Sequence, residues 1–149
     1  MIVSLPDLEA TGRLGGALAR VLRAGDQVAL RGDLGCGKTT LAGAILTALG
    51  AAGPIKSPTY TLIEEYDLGA LRVVHADLYR LRAPTELEGL GWWDYGDART
   101  LMLVEWPERA EGLWRPDVDV SLALTDHERQ AHLRGISPRG DEVVDCLRP

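Results

Sequence analysis

Apolar residues in the first part of the chain recur in patterns that predict alternating strands and helices. Ile2–Leu5 predicts a short edge strand that ends at Pro6, and Asp7 is placed to cap the helix that follows. Apolar positions three and four residues apart predict this first helix, which Gly25-Asp26 ends. The short apolar run Val28–Leu30 then predicts a buried strand.

The pattern continues with a second helix and a hairpin. Helical spacing of apolar residues covers Thr39–Leu49 and stops at Gly50. Two strand-like runs, Tyr60–Tyr66 and Leu71–Asp77, are separated by the four residues Asp67-Leu68-Gly69-Ala70. A spacing this short, with a glycine in it, predicts that the two strands are antiparallel neighbours.

The second half begins with weaker signals. Thr85 and Glu88 have the spacing of a capping box that opens a short helix. The segment Gly89–Asp97, rich in Gly, Trp and Asp, predicts an exposed or partner-facing loop. Leu101–Val104 is wholly apolar and is followed at once by Glu105, which is typical of a buried strand with an acid at its end.

Two late segments complete the predicted fold. Val118–Leu124 alternates apolar and polar residues, and Ala131–Ile136 does so more weakly. Strands and helices in this order predict one α/β domain over residues 1–149, with three layers and a mixed, mainly parallel central sheet.

The composition bears on which side chains fill the core and on which partners the chain can bind. The chain has no phenylalanine and four tryptophans, so the pair Trp92-Trp93 either fills the core or forms a partner surface; the size of a buried aromatic favours the core. The net charge of −6 disfavours general nucleic-acid binding, which needs many basic contacts to phosphate.

Nothing in the sequence predicts a membrane segment or a secretion signal. It has no apolar run of transmembrane length, and its first residues lack a basic region followed by an apolar stretch. The two cysteines, Cys36 and Cys146, are far apart and lack metal-ligand spacing. We therefore expect a protein of a reduced, cytoplasmic compartment.

One glycine-rich segment carries a specific chemical signal. Residues 32–39, "GDLGCGKT", match the phosphate-loop pattern G-x-x-x-x-G-K-[ST] at every position. The predicted strand before it and the predicted helix after it are the context that this loop requires. Lys38, one of only two lysines beside fourteen arginines, would reach the β- and γ-phosphates, and the Thr39 hydroxyl would ligate Mg²⁺. The alternative is a glycine-rich turn without a ligand.

A phosphate loop needs a further acid for Mg²⁺ or for the attacking water. Asp77 and Glu105 both follow strand-like runs. Glu105 fits better the acid at the end of the strand beside the loop strand. Either acid could instead be a helix cap or a solvated loop residue. Thr59, in "KSPTY", is placed to sense a γ-phosphate in a switch-like loop, or else it belongs to a simple turn.

Four segments in this order resemble the TsaE family of bacterial ATPases in tRNA threonylcarbamoyladenosine (t6A) biosynthesis. They are "GDLGCGKTT", "KSPTYTLIEEYDL", "HADLYRL" and "LVEWPERA", with "TELEGLGWWDY" before the last. The resemblance implies a P-loop NTPase-like fold, ATP and Mg²⁺ as cofactors, and slow hydrolysis by the chain alone. It also implies two protein partners, the threonylcarbamoyl-transferase subunit and its inactive paralogue, with tRNA engaged indirectly through the complex and modified at adenosine 37.

The resemblance also implies roles for individual residues. Lys38, Asp77 and Glu105 are the implied catalytic residues, and Thr39, Glu105 and Asp77 the implied Mg²⁺ ligands. The implied nucleotide-binding residues are Thr11, Gly35, Cys36, Gly37, Lys38, Thr39, Thr40, Thr59 and Arg129, of which Thr11 and Arg129 match only loosely. Trp106 is implied to pack after the acid. Cys36 replaces the alanine common in the family, and is either an inert small residue or a thiol whose alkylation blocks ATP binding.

Two other functions share the same loop. A small-molecule kinase would need a second pocket for an acceptor, and the sequence has no acceptor motif. A nucleotide-dependent scaffold would bind without hydrolysis. Phosphate release with and without acceptors and partners separates the three.

Overall fold

The described residues of the computed structural model, 1–55, 58 and 60–149, form a seven-stranded sheet with helices on its faces. The strands are β1 (Ile2–Leu5), β2 (Gln27–Arg31), β3 (Ile63–Asp67), β4 (Arg72–Asp77), β5 (Thr100–Glu105), β6 (Val118–Leu124) and β7 (Arg129–Gly135). The helices are α1 (Leu8–Val21), α2 (Lys38–Ala48), α3 (Glu86–Gly89), α4 (Trp92–Tyr95) and α5 (Pro138–Cys146), with a 3₁₀ helix at Pro107–Ala110.

The strand order is β1-β7-β6-β2-β5-β4-β3. The four central strands are parallel, since β2 pairs in parallel with both β5 and β6, and β5 with β4. The antiparallel pairs, β1 with β7, β7 with β6 and β3 with β4, lie towards the two edges. The predicted mixed sheet with a parallel core is confirmed.

Strand β5 shows how the layers are built. All six of its residues are buried. Leu101 and Leu103 face the cluster formed with α1, α2 and α5, whereas Met102 and Val104 face the cluster formed with α3, α4 and the 3₁₀ helix. Because successive side chains of a strand point to opposite faces, a continuous apolar run is the pattern of a strand covered on both sides. The predicted α/β fold with helices on both faces is confirmed.

The first two helices form as the sequence predicts and pack closely. The Asp7 carboxylate accepts a hydrogen bond from the Ala10 amide at 2.7 Å and so caps α1. At the contact between α1 and α2, a Cβ added to Gly15 would lie 2.5 Å from the Cβ of Ala44. Glycine therefore lets α1 approach the helix that follows the phosphate-loop segment.

The predicted hairpin is present, but its first strand is shorter than Tyr60–Tyr66. β3 begins at Ile63 because Leu62 has a left-handed backbone, with φ of 62°, and donates its amide to the Pro58 carbonyl at 2.8 Å. This turn takes Tyr60 and Thr61 out of the sheet. β3 and β4 then pair antiparallel, with Asp67 opposite Arg72.

The short helix predicted after Thr85 is present as α3, but the capping box predicted for Thr85 and Glu88 is wrong. Thr85 already has helical backbone angles, and its side chain makes no capping hydrogen bond. The Glu86 carboxylate accepts instead from the amides of Arg82, at 2.7 Å, and Ala83, at 3.4 Å. The Glu86 carboxylate therefore fixes the turn that leads into the helix, and the helix is only one turn long.

Helix α5 is an element that the sequence patterns above did not predict. Ser137 caps it by accepting from the Gly140 amide at 3.1 Å, and Pro138 occupies its first turn. Arg139 fixes it to the body through Asp26, with Nε–Oδ1 and Nη2–Oδ2 distances of 2.9 Å. The Ser-Pro start is a usable signal, and it was missed.

The tryptophan pair divides between the two predicted roles. Trp92 is only 2% exposed and contacts Trp114 edge to face, with 6.1 Å between ring centres, so it belongs to the core. Trp93 is 54% exposed. The segment predicted as a loop is thus partly helical, and one of its two tryptophans is buried. Among the described residues, no helix combines the length and the apolar character needed to cross a membrane.

Candidate functional site

The turn from β2 into α2 holds the glycine loop. Gly37 is the residue before α2, and its backbone is left-handed, with φ of 103°. A side chain there would also be crowded, because an added Cβ would lie 3.2 Å from Cζ of Arg129. Glycine is therefore required for this geometry.

The start of α2 is suited to an anion. Gly37 offers no side chain to cap the helix, and no acidic residue lies in the first turn. Free backbone amides and the positive end of the helix dipole then point into the loop. This arrangement is the usual protein site for phosphate.

Lys38 is held at the centre of the loop. Its ammonium group donates to the carbonyl of Gly32 at 2.6 Å and to the carbonyl of Asp33 at 2.9 Å. The same nitrogen lies 4.3 Å from the ring centre of Trp106, within the range of a cation–π contact. Because Lys38 is almost fully buried, its positive charge is held at the centre of the loop.

Glu105 links the loop helix to the central sheet. The Thr39 hydroxyl donates to its carboxylate, with distances of 2.8 Å to Oε1 and 3.1 Å to Oε2. Nε2 of His75 lies 2.7 Å from Oε2. Glu105 is 1% exposed. β5 lies directly beside β2, with Glu105 opposite Leu30, which confirms the predicted place of this acid.

Asp77 lies beside Glu105 on the neighbouring strand. The two residues are register partners at the carboxyl ends of β4 and β5. Burial raises the pKa of the Asp77 carboxyl above its ordinary value, and the negative charge of Glu105 raises it further, while a hydrogen bond from the Tyr79 amide at 3.0 Å acts in the opposite direction. Two carboxylates therefore share one edge of the site.

These groups line a single pocket of about 340 Å³. Its walls include seven of the residues predicted for the site: Gly35, Gly37, Lys38, Thr39, Thr40, Asp77 and Glu105. Leu34, Tyr79, Arg80 and Trp106 complete it. The loop, the two acids and the helix start, which are distant in sequence, therefore form one cleft.

The remaining predicted residues lie outside that lining or outside the described part of the chain. Cys36 is buried, with its Sγ 3.7 Å from the Lys38 nitrogen. Arg129 places its guanidinium against Gly37, and its buried Nε has no hydrogen-bond partner among the described residues. Thr11 is buried in α1, where its hydroxyl donates to the Asp7 carbonyl at 3.3 Å. Thr59 lies outside the described residues.

Sequence reasoning missed three polar or aromatic members of the site. His75 precedes Asp77 by two positions on β4, so strand alternation alone puts both on one face. Tyr79 and Arg80 lie two and three positions after Asp77, and Tyr79 stacks at a tilt on Trp106 with 4.9 Å between ring centres. All three lie within three positions of Asp77 in the sequence, and this proximity could have identified them.

The donor set suits a hard divalent cation held jointly with a ligand. Hydroxyl and carboxylate oxygens are available from Thr39, Glu105 and Asp77. In the described part of the chain, no group of three His, Cys, Asp or Glu side chains is placed to hold a metal without help. Mg²⁺ in nucleotide sites needs only one or two protein oxygens, since phosphates and water supply the rest.

Comparisons with known proteins all point to one family. The family model "Threonylcarbamoyl adenosine biosynthesis protein TsaE" matches residues 5–134. A tRNA threonylcarbamoyladenosine biosynthesis protein TsaE of Haemophilus influenzae is 40% identical over 80% of this chain and 77% of its own length. The protein of the same name from a Nostoc species is 35% identical over 97% of this chain and 90% of its own. The crystal structure of YdiB from Bacillus subtilis superposes with a TM-score of 0.76 at 25% identity, covering 99% of this chain and 93% of that one.

Proposed function

The chain belongs to the TsaE family, and from this we propose that it binds and hydrolyses ATP with Mg²⁺ to support repeated turnover of t6A formation on tRNA. The observation that carries the ATPase part is the contact between Thr39 and Glu105 at the end of the phosphate loop. A hydroxyl after the loop lysine and an acid on the adjacent strand are the pair that P-loop ATPases use around Mg²⁺.

Binding would rest on the loop and the start of α2. Backbone amides between Gly35 and Thr40 would donate hydrogen bonds to the phosphate oxygens, and Lys38 would add its charge at the β- and γ-phosphates. Its present acceptors, two loop carbonyls, keep the ammonium group in place. Arg129, whose buried Nε beside Gly37 has no hydrogen-bond partner in the described part of the chain, would be a further cation for the nucleotide, as would the exposed Arg80 in the pocket wall.

Hydrolysis would depend on the two carboxylates. Thr39 and Glu105 would hold Mg²⁺, directly or through water, and the ion would neutralise charge on the β- and γ-phosphates. Asp77 would orient the attacking water. The water oxygen forms the new bond to the γ-phosphorus, the bond to the bridging oxygen breaks, and the water proton passes to Asp77. A carboxylate whose pKa is raised is a better proton acceptor than an ordinary one.

The role in tRNA modification follows from the family and agrees with the charge of the chain. The named relatives are tRNA threonylcarbamoyladenosine biosynthesis proteins. With a net charge of −6 and an isoelectric point near 5.0, this chain is poorly suited to grip tRNA alone. We therefore assign tRNA contact to its partners, the threonylcarbamoyl-transferase subunit and that subunit's inactive paralogue.

The two cysteines, neither of which forms a disulfide, fit a reduced cytoplasmic location.

The proposal is tested by following phosphate release and t6A together. The chain should release phosphate slowly alone, and faster with the two partner subunits, and t6A should then exceed one per complex. Transfer of labelled phosphate to a small acceptor would instead identify a kinase. Binding without phosphate release under every condition would identify a scaffold. Glu9→Gln, an exposed change on α1, is a matched control for changes at Glu105.

A further inference from the structure

We infer that His75 is a positioning residue that holds the Glu105 carboxylate in the orientation of a Mg²⁺ ligand by donating a hydrogen bond from Nε2. The inference rests on the proposed Mg²⁺·ATP site and adds to it a residue that would touch neither the nucleotide nor the ion. It begins from the 2.7 Å contact between His75 Nε2 and Glu105 Oε2.

The contact is sealed inside the protein. The side chains of His75 and Glu105 are 0% and 2% exposed. His75 lies on β4 opposite Leu103, two residues before Asp77, which is opposite Glu105. Hydrogen bonds to a charged acceptor are the stronger ones, and water does not compete with a buried bond. His75 is therefore a fixed support below Glu105.

The geometry also assigns the tautomer. Nδ1 of His75 is buried and has no hydrogen-bond partner among the described residues. An N–H on that atom would be a buried donor without an acceptor, which is costly. The proton therefore belongs on Nε2, where the carboxylate accepts it, and Nδ1 is the bare nitrogen.

Two donors together determine how the carboxylate is turned. Oε2 accepts from His75, and the Thr39 hydroxyl donates chiefly to Oε1, at 2.8 Å, with Oε2 at 3.1 Å. The terminal torsion of a glutamate is broad when nothing holds it. With donors directed at both oxygens, the orientation of the carboxylate, which lines the pocket, is set. Outer partners of this kind typically change metal affinity by about 10- to 100-fold when removed.

A purely structural histidine would behave differently. It would lower the stability of the fold on removal and leave metal affinity intact in the folded fraction. The two roles separate because glutamine places an amide N–H where His75 has Nε2, whereas methionine fills similar space without a donor. His132, exposed on β7, provides the control His132→Gln.

The experiment measures the affinity of the full chain with bound ADP for Mn²⁺. The free ion is quantified by its electron paramagnetic resonance spectrum. We expect His75→Met to weaken Mn²⁺ binding by about 10- to 100-fold, His75→Gln to stay within a few-fold of the unmodified chain, and His132→Gln to match it. ADP affinity in EDTA should be equal in all four proteins. Unchanged Mn²⁺ affinity in a folded His75→Met protein overturns the inference, as does an equal loss in both His75 variants.

A second measurement needs no variant, metal or nucleotide. Nitrogen chemical shifts of the labelled imidazole should show protonated Nε2 and bare Nδ1 in the unmodified chain; a proton on Nδ1 alone overturns the inference even where His75→Met does not fold. The proposed function fails separately: an unmodified chain that binds no Mn²⁺ with ADP, or no ADP at all, rejects the Mg²⁺ site itself and with it any role of His75 there.

Discussion

Thr39 and Glu105 meet at the start of α2 and the end of β5, where the threonine hydroxyl donates to both carboxylate oxygens at 2.8 and 3.1 Å. The contact joins the phosphate-loop helix to the central strand. A hydroxyl and an acid at this distance can share one small cation, because each supplies an oxygen and the acid balances charge. The proposed ATPase depends on this relationship more than on any other.

Replacing Glu105 with alanine should reduce ATP turnover by about 10²- to 10³-fold, since it removes an electrostatic group of phosphoryl transfer. Nucleotide affinity in EDTA should change little, because Lys38 and the loop amides remain. Steady-state phosphate release measures the turnover, and calorimetry measures the nucleotide affinity. Full Mg²⁺-dependent turnover in this variant would move the assignment to Asp77, whose replacement would be the next test.

Replacing Lys38 with alanine should weaken nucleotide binding as well as turnover. The change removes the charge at the loop centre and leaves the carbonyls of Gly32 and Asp33 without their donor. Lys38→Arg should rescue little, because the site is built for a compact point charge that is buried beside Trp106. Equilibrium binding of ATP by the two variants is the measurement. Near-normal binding by Lys38→Ala would contradict the assigned role.

Asp77 should make the free protein less stable as pH rises. Burial is the main cause of its raised pKa, so between the ordinary value of 3.8 and the folded value the folded chain binds more protons at this carboxyl than the unfolded chain. The free energy of unfolding contributed by this group therefore falls with rising pH across that window. Asp77→Asn should be more stable than the unmodified chain at neutral pH, with the difference shrinking towards 3.8.

Urea unfolding over a pH series checks this without nucleotide. The asparagine can still accept from the Tyr79 amide, so the comparison isolates the charge. Asp126→Asn, in an exposed turn, is the control and should show no such pH-dependent difference in stability from the unmodified chain. A neutral-pH stability of Asp77→Asn at or below that of the unmodified chain would be the contrary result.

Cys36 should be protected from alkylation in the folded chain. It is only 1% exposed, whereas Cys146 is exposed, so one protein contains both the probe and its reference. Iodoacetamide should label Cys146 at an ordinary rate and Cys36 only through local opening of the loop, slower by at least an order of magnitude. Mass spectrometry reads both sites. Equally rapid labelling of the two would show an accessible thiol and restore the reactive interpretation.

The sequence predicted the parts of the site that local chemistry specifies. Loop glycines, Lys38 and Thr39 are adjacent in the chain, and the apolar run before Glu105 identifies a strand covered on both faces. His75 was missed because its importance arises from a contact across two strands, thirty positions away from Glu105. Its place on the Asp77 face was nevertheless available from alternation.

Errors elsewhere arose where neighbouring residues compete for one role. Glu86 rather than Thr85 satisfies the free amides before α3. Leu62 turns the chain and shortens β3, although the residues before it have strand-like composition. Trp92 and Trp93 are chemically alike, and only packing against Trp114 decides which of them enters the core.

The central claim is that ATP hydrolysis at the Thr39–Glu105 site supports repeated t6A formation. The direct measurement is the number of t6A residues formed per complex, with both partner subunits and excess tRNA, using the unmodified chain, Glu105→Ala and Glu9→Gln. The account predicts several products per complex with the unmodified chain and Glu9→Gln, and about one or fewer with Glu105→Ala. Equal yields from all three proteins would contradict it.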